Sequence, residues 1–269
     1  MQTNNAAMLF NAQQEILAIL ESQIFVEPQR HAAQESYARF EAKISGTDFI
    51  GAIIPYFTKS EILVLPIAGA MSRNNIGSGF FGNAMLTEMI VRAAEMPEIK
   101  GLVLDVYSGG GTVDSTKALS VAVANFPKPS ATATAFACSA AYWAISGSDL
   151  IFMEDQSASE VGSLGTIYYR AKKQPDVTTV EIMRSKKAVD KAKDNPFEDL
   201  DEATRADIQR RLDASEAELH GAVRLNRVGR IKSDEIFTGK TYGMADAIRL
   251  GLADRKGTLA NAVAWVRKQ

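Results

Sequence analysis

Short apolar runs alternate with segments of helical spacing through the middle of the chain. The runs predict buried strands at 62–65, 101–106, 130–136 and 150–153. Between them, apolar residues recur three or four positions apart, which predicts helices at 84–96, 115–125 and 139–146. Strand, turn and helix repeat about every 30 residues, an order typical of βαβ units. The pattern therefore predicts an α/β fold with stacked βαβ units around a largely parallel sheet.

The two ends of the chain are patterned differently from the middle. Asn11 and Gln14 have capping-box spacing, and the apolar residues after them predict a helix over 11–26. Residues 28–60 show little pattern, so we predict an N-terminal helical and extended arm over 1–60 and an α/β domain over 61–269. Within that domain the later predicted elements are a strand at 180–183, an amphipathic helix over about 204–223, helices at 245–250 and 259–266, and an extended pair at 252–253.

Charge and composition exclude several classes of function. The 269 residues include 30 basic and 32 acidic side chains, a net charge of −2, so no global basic field exists to bind nucleic acid. A single cysteine, Cys138, excludes an intramolecular disulfide and a thiolate-rich zinc site. His31 and His220 are far apart in the sequence and form no ligand cluster. No cofactor or metal is predicted.

The N-terminal sequence does not have the pattern of a secretory signal. The first basic residue is Arg30, whereas a signal peptide has a positively charged start before its apolar stretch. The apolar stretch 62–71 contains Pro66 and Gly69 and is shorter than the ~18 residues that span a bilayer. We therefore expect a soluble intracellular protein that is not secreted and has no membrane span.

Two segments at predicted strand ends could carry chemistry, because ligands of α/β sheets bind at the carboxyl ends of the strands. The first is 107–112, where three glycines follow a buried strand and could bring backbone N–H groups close to an anion or a carbonyl oxygen. It lacks the lysine of a P-loop and the full Gly-x-Gly-x-x-Gly spacing. We predict a tight turn at 108–111, and a plain turn that binds nothing is the alternative to a functional one.

The second segment is 136–142, where a strand runs into small residues and then into a helix. Ser139 could present a nucleophilic hydroxyl in front of the helix N-terminus, or it could simply cap the helix. Cys138 is an alternative nucleophile, although its small apolar neighbours favour a buried structural thiol. No histidine is near in sequence, so a base would have to be a lysine of the cationic stretch 184–193. The alternative for each of these lysines is an ordinary solvated side chain.

Six segments in order resemble peptidase family S49, the signal peptide peptidase A family, and most of all its compact phage and prophage members without a membrane anchor. They lie at 65–71, 99–113, 137–143, 161–167, 195–200 and 238–254. The resemblance implies a ClpP/crotonase-like fold. The family's Ser-Pro-Gly-Gly element is Ser-Gly-Gly-Gly here, with Gly109 in place of the proline, which makes this segment more flexible.

The resemblance also implies a role for each matching residue. Ser139 is the expected nucleophile and Lys191 the expected general base, with Lys187 and Lys193 as second choices because this loop departs from the family pattern. Ser163 is expected to orient the lysine ammonium. The expected oxyanion-hole donors are the backbone N–H groups of Gly110 or Gly111 and of Ala140.

The implied activity is that of a serine endopeptidase with a Ser/Lys dyad, acting through an acyl-enzyme on extended polypeptide. The resemblance further implies a ring-like homo-oligomer and leaves open whether the lysine comes from the same subunit or an adjacent one. In a phage the substrate would be scaffold or capsid protein during head maturation, and the location would be the prohead or the bacterial host cytoplasm.

The same residues support other functions less well. A ClpP-type triad would need a histidine where Leu164 stands, and an enoyl-CoA hydratase would need acidic residues where Ser108 and Ser139 stand. Two further alternatives keep the fold: a non-catalytic capsid assembly or scaffold-binding protein, and a soluble peptidase that degrades signal peptides.

Overall fold

A computed structural model describes residues 50–51, 54–74, 81–169 and 181–269. The predicted helix over 11–26 lies outside these residues, as does most of the predicted arm. The described residues just before position 61 lie on the core: Ile54 is fully buried, and Phe57 packs edge-to-face on Phe81 with ring centroids 5.2 Å apart. The domain boundary at 60 stays a prediction.

The described residues form one eight-stranded sheet that is largely parallel. Its strands are β1 Thr58–Lys59, β2 Ile62–Met71, β3 Gly101–Gly111, β4 Ser130–Cys138, β5 Leu150–Met153, β6 Glu160–Gly162, β7 Thr241–Tyr242 and β8 Arg255–Lys256. The order is β1-β2-β3-β4-β5-β8, with β6 on β4 and β7 on β6. The β1–β2 and β6–β7 pairs are antiparallel, and the other pairings of described strands are parallel. The predicted α/β class with a largely parallel sheet is confirmed.

Helices connect the strands as the hydrophobic pattern predicts. They are α1 Asn83–Glu95, α2 Thr116–Ala124, α3 Ala140–Ile145, α4 Glu202–Asn226, α5 Met244–Leu250 and α6 Leu259–Val266, with 3₁₀ turns at Ile54–Phe57 and Asp234–Thr238. Helix α4 begins two residues earlier than predicted because Asp201 caps it: its Oδ1 accepts the N–H of Thr204 at 2.7 Å. No helix in the described ranges is long and apolar enough to cross a membrane.

Both faces of the sheet are covered, which explains why its strands are almost continuously apolar. Leu63 and Leu65 of β2 point into the larger core, under the helices α1, α2 and α3, whereas Ile62 points to the opposite face. That second face is covered by α6, whose Ala262 and Val266 pack in the smaller core. The alternation follows from the two-residue period of a strand.

Strand β3 corrects the prediction of a tight turn at Ser108–Gly111. The strand continues through the glycines to Gly111, because β2 also continues and pairs Ala70 with Gly110 and Met71 with Gly111. A Cβ on Gly111 would lie 2.0 Å from the Met71 carbonyl oxygen, so only glycine permits this close approach of the two strands.

Three further differences from the sequence prediction are local. Residues 181–183, at the end of the strand predicted over 180–183, are not in a strand, and the extended pair predicted at 252–253 lies three residues further on, as β8. The short strands β6 and β7 were not predicted, since two or three residues are too few to show a period.

A buried ion pair joins Arg227, the residue that follows helix α4, to the loop before β8. The Arg227 side chain is fully buried, and its Nη1 lies 2.9 Å from Asp254 Oδ2. Arg227 Nη2 also donates to the Gly251 carbonyl at 2.8 Å, and Asp254 Oδ2 accepts the N–H of Ile151 on β5 at 2.7 Å. Because a buried charge is tolerated only when it is paired and hydrogen-bonded, this network fixes α4 against the sheet.

Candidate active site

Three strands meet at the point where β4 ends and α3 begins. On one side of β4 lies β3, with Ser108 opposite Ala137, and on the other lies β6, with Gly162 opposite Cys138. The N–H of Ser139, the next residue, donates to the Gly162 carbonyl at 2.8 Å. Ser139 is therefore anchored between two strands at the carboxyl edge of the sheet, where α/β folds place their sites.

The backbone of Ser139 is strained, with φ 55° and ψ −124°. Ser139 occupies the N-cap position of α3, but its side chain makes no capping hydrogen bond to the helix. Ser139 is partly exposed, whereas every residue of α3 behind it is buried. A non-glycine residue in this conformation costs about 1–3 kcal/mol, and such strain is found mostly at functional sites.

Gly110 of β3 lies against the Ser139 turn with no room for a side chain. A Cβ on Gly110 would lie 2.7 Å from the Cys138 carbonyl oxygen and 2.9 Å from both Ala140 N and Ser139 Cβ. The φ of Gly110 is +94°, which also favours glycine. The glycine-rich strand end and the serine turn are thus packed backbone to backbone.

We expect Gly110→Ala to lower stability by about 1–3 kcal/mol, because it combines an unfavourable φ with a clash against backbone atoms. Catalysis should fall with it, since the Ser139 turn must move. Gly109→Ala is the matched control: its Cβ would meet only the Phe136 ring edge, at 3.3 Å, and that side chain can shift. Urea unfolding of both variants checks this, and equal stabilities would contradict it.

Of the predicted oxyanion donors, Gly110 already has a partner. Its N–H donates to Ser108 Oγ at 3.0 Å, and Ser108 Oγ donates in turn to the Gly69 carbonyl at 2.6 Å. Ala140 is the first residue of α3, and the first amides of a helix have no partner within it. The Ser108 hydroxyl holds the glycine segment in place, and Ala140 N lies next to that segment, 2.9 Å from where a Cβ on Gly110 would be.

Ser163 lies beside Ser139. It follows Gly162 directly, its own φ is 52°, and its N–H donates to the Lys240 carbonyl at 2.9 Å. The segment after it is held by α4: Thr166 Oγ1 donates to the Leu212 carbonyl at 2.9 Å, and the Leu164 carbonyl lies 3.0 Å from His220 Nε2. The structure thus brings Ser139, Gly110, Gly111, Ala140 and Ser163 together.

Cys138 does not fit the role of nucleophile. It is buried, and burial, with a smaller contribution from Glu160, raises the pKa of its thiol to about 11. Because the thiolate is the reactive form, the Cys138 thiol stays protonated and inert at neutral pH.

A cavity of about 250 Å³ opens in front of Ser139. Ser139, Ala140 and Trp143 line one side of it. One face of helix α4 also lines it, with Ile208, Arg211, Leu212, Ser215 and Leu219. The sequence predicts this amphipathic helix but not its place at the site, because helical spacing does not tell which surface the apolar face covers.

The predicted lysines lie on the segment 184–201, which borders this cavity through Asp194. Lys187 and Lys191 are exposed, and among the described residues their ammonium groups have no hydrogen-bond or ion-pair partner. Lys191 does not itself line the cavity. Lys193 Nζ lies 2.9 Å from Asp201 Oδ2 and 3.2 Å from Asp190 Oδ1. Hydrogen bonds to these two carboxylates raise the pKa of Lys193, so less of it is in the neutral form that a general base needs.

The family model described as peptidase family S49 matches residues 127–269, more than half of the chain. The chain belongs to peptidase family S49. The match includes Ser139, Ser163 and the lysine segment, and S49 membership supports a serine-type peptidase. The glycine-rich end of β3 lies outside the matched residues, and it reaches the site because β3 pairs with β4.

Solved structures similar to this S49 chain include a protease and an enoyl-CoA hydratase/isomerase. A mutant of a membrane-bound stomatin-specific protease is 13% identical, with 78% of this chain and 85% of that one covered and a TM-score of 0.45. A probable enoyl-CoA hydratase/isomerase from Mycobacterium abscessus is 12% identical, with 78% and 70% covered and a TM-score of 0.45. No curated protein sequence matches the chain.

Proposed function

We propose that this S49 protein is a serine endopeptidase whose nucleophile is Ser139. The observation that carries the proposal is the position of Ser139 at a cavity and against a glycine-rich strand end. Its backbone is strained, and its side chain makes no capping hydrogen bond. A serine held in this way exposes its hydroxyl and has the helix N-terminus of α3 behind it, where negative charge is stabilised.

The reaction follows the chemistry of acyl transfer. Neutral Lys191 takes the Ser139 proton as the hydroxyl oxygen attacks a peptide carbonyl, and a tetrahedral oxyanion forms. The N–H groups of Ala140 and Gly111 stabilise it, together with that of Gly110 if this amide exchanges Ser108 Oγ for the oxyanion. The C–N bond breaks, the leaving amine takes the proton from the lysine, and water hydrolyses the acyl-enzyme. Ser163 accepts a hydrogen bond from the lysine while it is charged.

Lys191 is the preferred base because the family resemblance anchored on residues 195–200 implies it, and because it has no competing carboxylate, whereas Lys193 is held by two. The ammonium group of Lys191 must still reach Ser139. It can do so by closure of the segment 184–201 or from an adjacent subunit. Ile167, which lines the cavity, is 84% exposed, and Tyr169, two residues further along the chain, is 87% exposed. Exposed apolar patches mark contact surfaces, which supports a homo-oligomer and an extended polypeptide substrate.

In its biological setting we propose a compact phage or prophage member of the family, acting on scaffold or capsid protein during head maturation. The enzyme would then work in the prohead or in the bacterial host cytoplasm. The resemblance of residues 195–200 to the phage-type segment supports this setting.

A fluorophosphonate probe tests the proposal directly. The probe forms a covalent adduct with an activated serine, and peptide mass spectrometry of the assembled protein locates the adduct. We expect the label on Ser139 and not on Ser163 or Ser108. A protein that stays unlabelled in its assembled form would instead favour a non-catalytic assembly role.

A further inference from the structure

The segment that carries Lys191 is organised around a single arginine. Arg184 Nε donates to the Lys191 carbonyl at 2.6 Å, and Arg184 Nη2 donates to the Ala192 carbonyl at 3.2 Å. Its side chain is 18% exposed, although it belongs to a surface loop. One planar guanidinium thus holds two consecutive peptide groups, those that follow Lys191 and Ala192.

A carboxylate and an amide complete this arrangement. Arg184 Nη1 lies 3.0 Å from Glu198 Oε1, and Nη2 contacts the other oxygen of the same carboxylate, so the pair is bidentate. Asn195 Nδ2 donates to Glu198 Oε2 and to the Ala192 carbonyl, each at 2.7 Å. Hydrogen bonds from Arg184 and Asn195 hold the pKa of Glu198 at about 2, so the carboxylate stays charged at neutral pH.

The arrangement fixes a backbone conformation that the sequence would otherwise avoid. Ala192 has φ 55°, a left-handed conformation that a non-glycine residue seldom adopts. Its carbonyl receives both the Arg184 and the Asn195 hydrogen bonds, which offset the strain. Two residues later the segment reaches the site: Asp194 lines the cavity in front of Ser139, and its carbonyl accepts the Tyr168 hydroxyl at 3.3 Å.

We propose that Arg184, held by Glu198 and Asn195, is a positioning residue that fixes the main chain at Lys191 so that its side chain can meet Ser139. This rests on the proposed function, in which Lys191 is the base. Arg184 itself does not touch the reacting atoms. A mispositioned base slows the proton transfer without weakening the binding of the polypeptide, so Arg184 should affect kcat and leave KM unchanged.

The experiment compares Arg184→Gln with Arg249→Gln, using fluorescein-labelled casein as unfolded substrate. Arg249 is a matched control, since it has an acidic partner, Asp246, 2.9 Å away but belongs to helix α5. We expect Arg184→Gln to lower kcat about 10- to 100-fold at unchanged KM. Arg184→Lys should not restore it, because lysine lacks the planar fork of donors. The control should keep the activity of the original protein.

Glu198→Gln provides a second variant if Arg184→Gln does not fold, and it should give a smaller kcat loss because a neutral amide binds Arg184 more weakly. The positioning role is rejected if either folded variant keeps the kcat of the original protein, or if the substitution changes KM alone.

A double variant separates this proposal from the one it rests on. If Arg184 acts through Lys191, Arg184→Gln adds no further loss to Lys191→Ala in the rate of fluorophosphonate labelling of Ser139. A further loss in that background would show that Arg184 acts elsewhere. If Lys191→Ala is fully active, the assignment of the base fails, whereas an inactive Lys191→Ala with a fully active Arg184→Gln rejects only the positioning role.

Discussion

Ser139→Ala is expected to lower peptide hydrolysis by about 10⁴-fold or more, the range seen when the nucleophile of a serine peptidase is removed. The loss follows because no other described group at the end of β4 can take its place. The Cys138 thiol is buried and its pKa is raised to about 11. Ser163 belongs to a separate segment, with its N–H on the Lys240 carbonyl. Turnover of labelled casein measures the effect.

Ser115→Ala is the matched control for this experiment. Ser115 also precedes a helix, has a positive φ of 65° and makes no capping hydrogen bond, but it stands before α2 rather than α3. Both variants replace a serine of positive φ by alanine without loss of a capping hydrogen bond, so the two should unfold at similar denaturant concentrations. Only Ser139→Ala should also lose the fluorophosphonate adduct. Substantial hydrolysis by purified Ser139→Ala protein would reject Ser139 as the nucleophile.

The strands and helices of the central sheet could be predicted because each is long enough to show a period. The prediction was wrong at Ser108–Gly111, where glycines suggested a turn. Strand pairing with Ala70 and Met71, about 40 residues earlier in the chain, keeps this segment extended, and pairing of that kind leaves no local signal.

The site could be predicted in part for a similar reason. Ser139 stands where a predicted strand meets a predicted helix, and that junction is local. The wall of the cavity comes from Ile208 and Leu212 of α4, some 70 residues later in the chain, and the Arg184–Glu198 pair depends on how a loop folds back on itself. Residue types alone do not predict such contacts, because they depend on the tertiary packing of the segments involved.

Lys191→Ala is expected to lower the rate by about 10²- to 10⁴-fold, the contribution of a general base. Lys187→Ala and Lys193→Ala are its controls. Lys187 is exposed and should have no effect, whereas Lys193 binds Asp201, the cap of α4, and should affect stability more than turnover. If Lys187→Ala or Lys193→Ala causes the larger loss, the role moves to that residue.

Mixing the two inactive variants tests where the lysine comes from. If Lys191 reaches Ser139 of its own subunit, every subunit in a mixed oligomer of Ser139→Ala and Lys191→Ala proteins lacks one member of the dyad, and the mixture stays inactive. If the lysine crosses to an adjacent subunit, some interfaces join an intact serine to an intact lysine, and casein hydrolysis returns. The exposed position of Lys191 and its absence from the wall of the cavity in the single chain favour the second outcome. An inactive mixture, with exchange of subunits verified by mass spectrometry, would require that the segment 184–201 closes onto its own Ser139 instead.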